Sequence, residues 1–409
     1  MNNTIMKVIE QSQVAPPPCS LPSPTTLPLT VFDTTWFYCQ QPIKRIFFYH
    51  FPHPTHHFLQ TTLPILKHSL SLTLQHFFPF SSNLIIPQNS QDAPYIRYLN
   101  TDTLSFTVAE SSADFNLLIS DSQDAKNWHS LVPNLPPPST EQNNTRVIPI
   151  MAIQDPKITC LQETQENVLE KVELADLVPN VYPKNVRTCL VLSHEQIQKL
   201  KKWVVDKCIE TSQDMSTFVV TCSLIWFCMV NSEQSDQGDS IVVDDDLCYF
   251  LFFADCRGRP EFSLPKTYFG NCLASYIVAV NRCELVGKDG IVVAANGIDM
   301  RIRDFKSDAV LGSETMIVDF KELFKPGKSV VLVSGSPKLD VYGTDFGWGK
   351  PKKSDVVHHD SSGIISLSDC RDGGSGIEIG LSLERSQMAN FMNIFQGQLD
   401  DICTSVACE

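Results

Sequence analysis

The sequence lacks the patterns that mark metal-binding, disulfide-stabilised and membrane-spanning proteins. Its 14 cysteines occur without Cys-x-x-Cys pairs, and several, such as Cys222 and Cys228, lie in apolar runs where a free thiol acts as a small hydrophobic residue. No apolar run reaches the roughly 18 residues that a membrane span needs. The start, Met1-Asn2-Asn3-Thr4, has no signal-peptide pattern. We therefore expect a protein of the reducing cytoplasm, with no metal and no membrane partner.

Positive charge is also scarce. The chain has 32 Lys and Arg residues against 46 Asp and Glu residues, a formal net charge of −14. Nucleic-acid binding needs basic surface that neutralises phosphates, so nucleic acid is not expected as a partner. A small anionic ligand remains compatible with this charge, because it needs only a local basic patch.

The length and the pattern of elements predict two α/β domains. A chain of 409 residues exceeds the usual limit of about 250–300 residues for a single core. Helical and strand patterns alternate along the whole chain, which is typical of mixed α/β folds. We predict a first domain over residues 1–154, a crossover over 155–184 and a second domain over 185–409, in a protein that we expect to be monomeric.

Three segments carry the clearest helix signals. Leucines recur at the spacing of one helix face: Leu59, Leu63, Leu66, Leu70 and Leu74. Ser193 and Gln196 form a capping-box pattern at the start of a second helix. Residues 216–230 are apolar nearly all round, which predicts a buried helix.

The stretch Ser336–Asp355 is the most unusual part of the chain. Glycines alternate in it with aromatic residues around a single acid, Asp345. Glycine permits positive φ, and aromatic side chains bury large areas, so this stretch should hold a fixed turn. We expect Asp345 to be buried there and therefore to need a partner, for which Arg257 is the candidate because its guanidinium satisfies both carboxylate oxygens.

Two short motifs resemble one enzyme family. Asp345-Phe346-Gly347-Trp348-Gly349 resembles the D-F-G-W-G signature of the BAHD acyltransferases, and Tyr268-Phe269-Gly270-Asn271-Cys272 resembles the Y-F-G-N-C signature of the members that acylate anthocyanins and flavonoid glucosides. The resemblance covers nearly the whole chain. It implies a two-domain fold like that of chloramphenicol acetyltransferase and the transfer of a malonyl or hydroxycinnamoyl group to a sugar hydroxyl of a phenolic glucoside. The acyl-CoA thioester would be a co-substrate, and no permanently bound cofactor is implied.

The resemblance also suggests roles for individual residues. Asp345, Gly347, Trp348 and Gly349, with Arg257, would hold the shape of the coenzyme site, and a catalytic role for Asp345 is the alternative interpretation. We expect coenzyme contacts from a second set of residues: Lys350, Lys352, Lys353, Tyr268 and Asn271. An exposed basic turn is the alternative interpretation of the three lysines.

The sequence departs from the family at its catalytic motif. The family carries H-x-x-x-D, whose histidine is the catalytic base, but none of the 10 histidines here has an aspartate four residues on. A predicted strand over Val147–Gln154 runs directly into Asp155-Pro156-Lys157, a pattern that is typical of a polar turn. We infer that several tens of residues are missing at this junction, so that the first domain is incomplete and no catalytic residue is intact.

Two interpretations of function remain. By family, the chain is an acyl-CoA-dependent O-acyltransferase. Alternatively it is a shortened, inactive form, arising from splicing, a pseudogene or an incomplete gene model, that at most binds a ligand or partner. His358-His359-Asp360 does not restore a base, because neighbouring residues of a strand point to opposite faces.

Overall fold

A computed structural model describes residues 6–33, 42–88, 92–124, 126–141, 144–158, 185–208, 215–233, 246–307, 323, 327–357 and 363–407. The chain divides into two compact units. The first unit comprises Met1–Gln40, Lys44–Ser120 and Lys126–Asn180. The second comprises Gln41–Ile43, Asp121–Ala125 and Val181–Glu409.

The first unit contains a three-stranded and a five-stranded sheet among its described residues. Its strands are β1 (Met6–Val14), β2 (Thr25–Pro28), β3 (Arg45–Phe48), β4 (Asn83–Ile86), β5 (Tyr95–Tyr98), β6 (Leu104–Ser111), β8 (Ser139–Thr140), β9 (Arg146–Pro149) and β10 (Ala152–Ile158). Strand β7 (Ser122–Asp124) belongs to the second unit. The strand orders are β1-β6-β10 and β2-β5-β4-β9-β8.

The leucine-rich helix of the first unit lies where the sequence predicts it. A helical turn at Thr55–His57 continues through a π-helical segment, Phe58–Thr62, into α1 (Leu63–His76). Pro64 lies just after the π-helical segment, and because it has no N–H it cannot donate to the preceding turn of the helix. Two short helices follow: α2 (Phe115–Leu118) and α3 (Lys126–His129).

The strand predicted over Val147–Gln154 is two strands in different sheets. Strand β9 pairs antiparallel with β4, whereas β10 pairs parallel with β6. The predicted turn at Asp155-Pro156 is wrong, because β10 runs through both residues. Strand β10 is at the edge of its sheet among the described residues, and an edge strand tolerates proline, whose missing N–H then faces away from the ladder.

The second unit is built on a seven-stranded mixed sheet. Its order is β13-β12-β14-β16-β17-β11-β7. The strands are β11 (Asn185–Leu192), β12 (Leu247–Asp255), β13 (Leu273–Asn281), β14 (Ser329–Gly335), β16 (Ile364–Ser368) and β17 (Ile377–Glu384), and β15 (Lys353–Val356) lies outside this sheet. Strand β14 is parallel to both β12 and β16, and the other pairs are antiparallel.

Five helices accompany this sheet in the described part of the chain: α4 (His194–Lys207), α5 (Thr217–Ser232), α6 (Arg282–Leu285), α7 (Gly290–Ser307) and α8 (Arg385–Ala407). The predicted capping box at Ser193 is present at the start of α4. Helix α5 is buried at every residue from Val219 to Val230, which confirms the prediction for this segment, and it packs against α7 and α8. No helix in the described ranges is both long and apolar enough to cross a membrane.

Candidate functional site

The Asp345–Gly349 segment forms a turn that is closed by its own aspartate. One carboxylate oxygen, Oδ1 of Asp345, accepts hydrogen bonds from the backbone N–H groups of Gly347, Trp348 and Gly349 at 2.7, 3.0 and 2.9 Å. Gly347 and Gly349 have φ values of +94° and +85°, a region that favours glycine. N–H groups that converge in this way form a nest for an anion, and here the anion is the side chain of Asp345 itself.

The expected pair between Asp345 and Arg257 is wrong. Asp345 is exposed, so its carboxylate is not stranded in an apolar core and does not require an arginine. The Arg257 guanidinium instead donates to Oδ1 of Asp255 at 2.9 Å and to the carbonyl of Gly270 at 2.6 Å. Both residues therefore support local backbone, but they support two different loops.

Arg257 holds the loop that contains the second motif, Tyr268–Cys272. Besides the bond from Arg257 to Gly270, the Tyr268 hydroxyl donates to the carbonyl of Asn271 at 3.1 Å. The N–H of Cys256 donates to the carbonyl of Cys272 at 2.8 Å, which ties the loop to the end of β12. The loop therefore has a defined shape, while coenzyme contacts from Tyr268 and Asn271 stay predictions.

The three lysines that follow the first motif differ in exposure. Lys350 and Lys352 are exposed, so their ammonium groups are free to meet a phosphate at the surface. Lys353 is only 2% exposed, and this burial lowers its pKa, against the opposing effect of the neighbouring Cys189 and Asp355. The burial of Lys353 argues against a phosphate contact, whereas contacts from Lys350 and Lys352 stay predictions.

A buried ion pair joins two strands of the second unit. Nη2 of Arg187 in β11 donates to Oδ1 of Asp355 in β15 at 3.0 Å, and the two side chains are 3% and 6% exposed. Nη2 also donates to the carbonyl of Val356 at 2.8 Å. Gly380 leaves room for the pair, since a Cβ there would lie 2.4 Å from Oγ of Ser366 and 3.0 Å from Oδ1 of Asp355.

A second polar cluster surrounds Glu378 in β17. Its Oε2 accepts from the Tyr342 hydroxyl at 2.8 Å, and its Oε1 accepts from Nε of Arg371 at 2.8 Å. The thiol of Cys189 donates to Oε2 at 3.7 Å. Burial, and then the Glu378 charge, raise the pKa of Cys189 to about 12. Cys189 is therefore a neutral thiol at physiological pH and not an activated nucleophile.

No candidate base emerges from the described histidines. His53 and His57 lie with ring centroids 4.5 Å apart, and neither belongs to an H-x-x-x-D motif, since no histidine in the chain has an aspartate four residues on. The segment His358-His359-Asp360 lies outside the described residues. Within the described ranges, no three His, Cys, Asp or Glu side chains converge as a metal site requires.

Sequence reasoning missed the two buried clusters. Arg187 and Glu378 each lie inside a strand that is otherwise rich in apolar residues, and a charge in such a position must be paired. That pattern could have marked both residues as buried partners. It could not have identified Asp355 as the partner of Arg187, 168 residues away, or the Tyr342 hydroxyl as a partner of Glu378, 36 residues away; only Arg371 lies near Glu378 in the chain, seven residues before it.

Comparison with solved structures identifies the class of fold. The structure resembles vinorine synthase with a TM-score of 0.65 at 19% sequence identity, covering 94% of this chain and 96% of that one. It also resembles TRI101 of F. sporotrichioides in complex with coenzyme A, with a TM-score of 0.59 at 14% identity over 90% of this chain and 97% of that one. These likenesses confirm the predicted α/β class with two units.

Comparison of the sequence with known proteins identifies the family of the chain. The model of the Transferase family matches residues 6–163 and 162–397, and the chain belongs to this family, the BAHD acyltransferases. The chain is 34% identical to coumaroyl-CoA:anthocyanidin 3-O-glucoside-6''-O-coumaroyltransferase 1 of Arabidopsis thaliana, over 97% of this chain and 98% of that protein. It is 30% identical to a malonyl-coenzyme A:anthocyanin 3-O-glucoside-6''-O-malonyltransferase of Dahlia pinnata, over 98% and 99%.

The alignments show that this chain is shorter than its relatives inside the matched region. The first alignment spans 466 positions, although it includes only 97% of the 409 residues of the chain, so many of its positions have no residue of this chain. Because it covers 97% of this chain and 98% of the relative, these positions lie between the matched ends. The family match is split into two pieces that meet at residues 162–163, a few residues beyond β10.

Proposed function

We propose that this chain derives from an acyl-CoA-dependent O-acyltransferase of phenolic or anthocyanin glucosides, and that it retains acyl-CoA binding but transfers acyl groups poorly. The reaction would move a malonyl or hydroxycinnamoyl group from coenzyme A to a sugar hydroxyl. The relatives named above support this substrate class, and both acyl donors occur among them.

The observation that carries the proposal is the internal shortening of the chain combined with the absence of H-x-x-x-D. The attacked hydroxyl must lose a proton, and a histidine base near neutrality supplies that step most readily. Loss of a general base costs roughly 10²–10⁴ in rate. The buried Cys189 thiol does not replace it, since its pKa is raised to about 12.

Retained binding is supported by the two ordered motif loops of the second unit. Asp345 and Arg257 fix the shape of these loops through hydrogen bonds to backbone. Lys350 and Lys352 lie exposed beside the first loop, where ammonium groups would attract the phosphates of coenzyme A. We place this protein in the cytosol as a monomer, and the eleven described cysteines, all free, support a reducing compartment.

The test is to purify the 409-residue chain and titrate it with malonyl-CoA and p-coumaroyl-CoA by calorimetry. Transfer to flavonoid glucosides is then followed by product formation. We expect binding of at least one acyl-CoA with little product. Absence of binding to either thioester, in protein that shows a cooperative melt by circular dichroism, would exclude the proposal.

An active acyltransferase is the second candidate, favoured by 34% identity to a coumaroyltransferase over 97% of the chain. It would require another residue to act as base. Product formation within about a hundredfold of a full-length relative would establish this alternative, because that factor is the smallest loss expected from a missing base.

A further inference from the structure

One hydroxyl connects both ends of the loop that contains the first motif. Tyr342 lies in a 3-10 turn, Val341–Gly343, just before Asp345, and its side chain is 2% exposed. Its hydroxyl donates to Oε2 of Glu378 at 2.8 Å and accepts from the N–H of Ser354 at 3.1 Å. Residues 343–353 are therefore closed into a loop whose two ends meet at the Tyr342 hydroxyl, and this hydroxyl is bonded to Glu378 of β17.

The partner of this hydroxyl is itself held in place. The other carboxylate oxygen of Glu378, Oε1, accepts from the backbone N–H of Arg371 at 3.1 Å and from its Nε at 2.8 Å. Glu378 is 2% exposed, so water does not compete for these bonds. Oε2 is thereby directed at Tyr342.

A separate carboxylate fixes the same turn through its backbone. Oδ1 and Oδ2 of Asp369 accept from the N–H groups of Val341 and Tyr342 at 2.9 and 3.1 Å. Asp369 directly follows β16. The turn is consequently bound to the central sheet by two independent acids, one acting on the side chain of Tyr342 and one on its backbone.

The protonation state of the Tyr342 hydroxyl is the one that a donor to Glu378 needs. Burial, and then the negative charge of Glu378, raise the pKa of Tyr342, so the phenol stays protonated and donates. A buried hydrogen bond to a charged acceptor is stronger than one between neutral groups.

We propose that Tyr342 is a positioning residue whose hydroxyl fixes the loop 343–353, and with it Asp345, Lys350 and Lys352, in the geometry that binds coenzyme A. The ligand in this statement rests on the proposed function. The closure of the loop by Tyr342 does not.

The experiment compares Tyr342→Phe with Ser223→Ala in the full chain. Ser223 is the matched control, because its buried hydroxyl donates to the carbonyl of Val220 within α5 and takes no part in the loop. Amide hydrogen exchange is measured for residues 343–353 and for α5, and the Kd for coenzyme A is measured by calorimetry. We expect Tyr342→Phe to speed exchange in the loop and to raise Kd, each by about tenfold, the factor expected for one hydrogen bond.

A merely structural role would give a different pattern. Tyr342→Phe would then lower the denaturation midpoint as Ser223→Ala does, without a selective change in loop exchange or in Kd. Unchanged loop exchange in Tyr342→Phe would overturn the proposal. Faster loop exchange with an unchanged Kd would overturn its coenzyme part.

If the wild-type chain binds no coenzyme A while loop exchange still rises in the variant, the proposed function fails and the closure of the loop stands. Should Tyr342→Phe not fold, Asp369→Asn provides the second variant, since it weakens the backbone anchor of the same turn. It should also speed exchange selectively in residues 343–353, and unchanged exchange there would overturn the proposal as well.

Discussion

The described parts of the two units differ in the size of their sheets and in the burial of their elements. The second unit has a seven-stranded sheet, a helix (α5) buried along most of its length and internal charges that are paired. The described part of the first unit has smaller sheets, and residues 152–156 of β10, its last described strand, are all half-buried.

The comparison separates the part of the chain near the break in the family match from the part that carries the two motif loops. The family match breaks at residues 162–163, shortly after β10 and before the second unit's main run begins at Val181. Both motif loops lie after this break, and the hydrogen bonds that Arg257 and Asp345 make to their backbone lie within the second unit. A unit whose motif loops are held by hydrogen bonds of its own can keep a binding site even when catalytic residues elsewhere are lost.

The largest effect on the second unit should come from breaking its buried ion pair. Arg187→Ala leaves the Asp355 carboxylate buried without its cation, so we expect the free energy of unfolding to fall by about 3–5 kcal/mol in urea denaturation. The control is Arg187→Leu combined with Asp355→Leu, which removes both charges and should cost much less. A loss below about 1 kcal/mol in Arg187→Ala would mean that the pair is solvated.

The buried thiol of Cys189 should make the second unit sensitive to alkali. Its folded pKa of about 12 lies above the value of about 8.5 for a free thiol, so its contribution is complete below pH 8.5 and is lost as pH rises toward 12. We expect a slope of up to about 1.4 kcal/mol per pH unit from this thiol, which Cys189→Ala should remove. Cys283→Ala, which removes an exposed thiol, is the control. An identical slope in both variants would contradict the assignment.

The smallest of the stability effects should come from the motif turn. Asp345→Ala removes a carboxylate that satisfies three backbone N–H groups but is exposed to water, so we expect a loss of about 0.5–2 kcal/mol, as for a helix cap. Asp345→Asn keeps an acceptor oxygen and should lose less. A loss of several kcal/mol, measured by thermal denaturation, would favour a buried charge pair for this residue instead.

The sequence was sufficient to predict elements whose signal is local. The capping box at Ser193 and the apolar run of α5 gave correct helices, because capping and burial patterns are encoded in neighbouring residues. The turn at Asp155-Pro156 was predicted wrongly because the position of a strand in its sheet is set by distant partners, here β6, and an edge position permits proline.

The site could be predicted only in part, for the same reason. The glycine-aromatic pattern identified a fixed turn, and positive φ at Gly347 and Gly349 agrees with it. The pattern did not show that Asp345 is exposed and bonded to its own backbone, so a distant arginine was assigned to it instead. The Tyr342–Glu378 contact joins residues of different elements, and no pattern among neighbouring residues predicts it.

The central claim is that the second unit keeps its binding site while the chain has lost its catalytic base. Its most direct test is the initial rate of acyl transfer by the purified 409-residue chain, beside a variant in which the absent positions are inserted at residues 162–163 from a full-length relative. We predict a rate for the natural chain at least about a hundredfold below that of the insertion variant, as expected for a missing base. Equal rates in the two proteins, both shown to be folded by a cooperative melt, would contradict the claim.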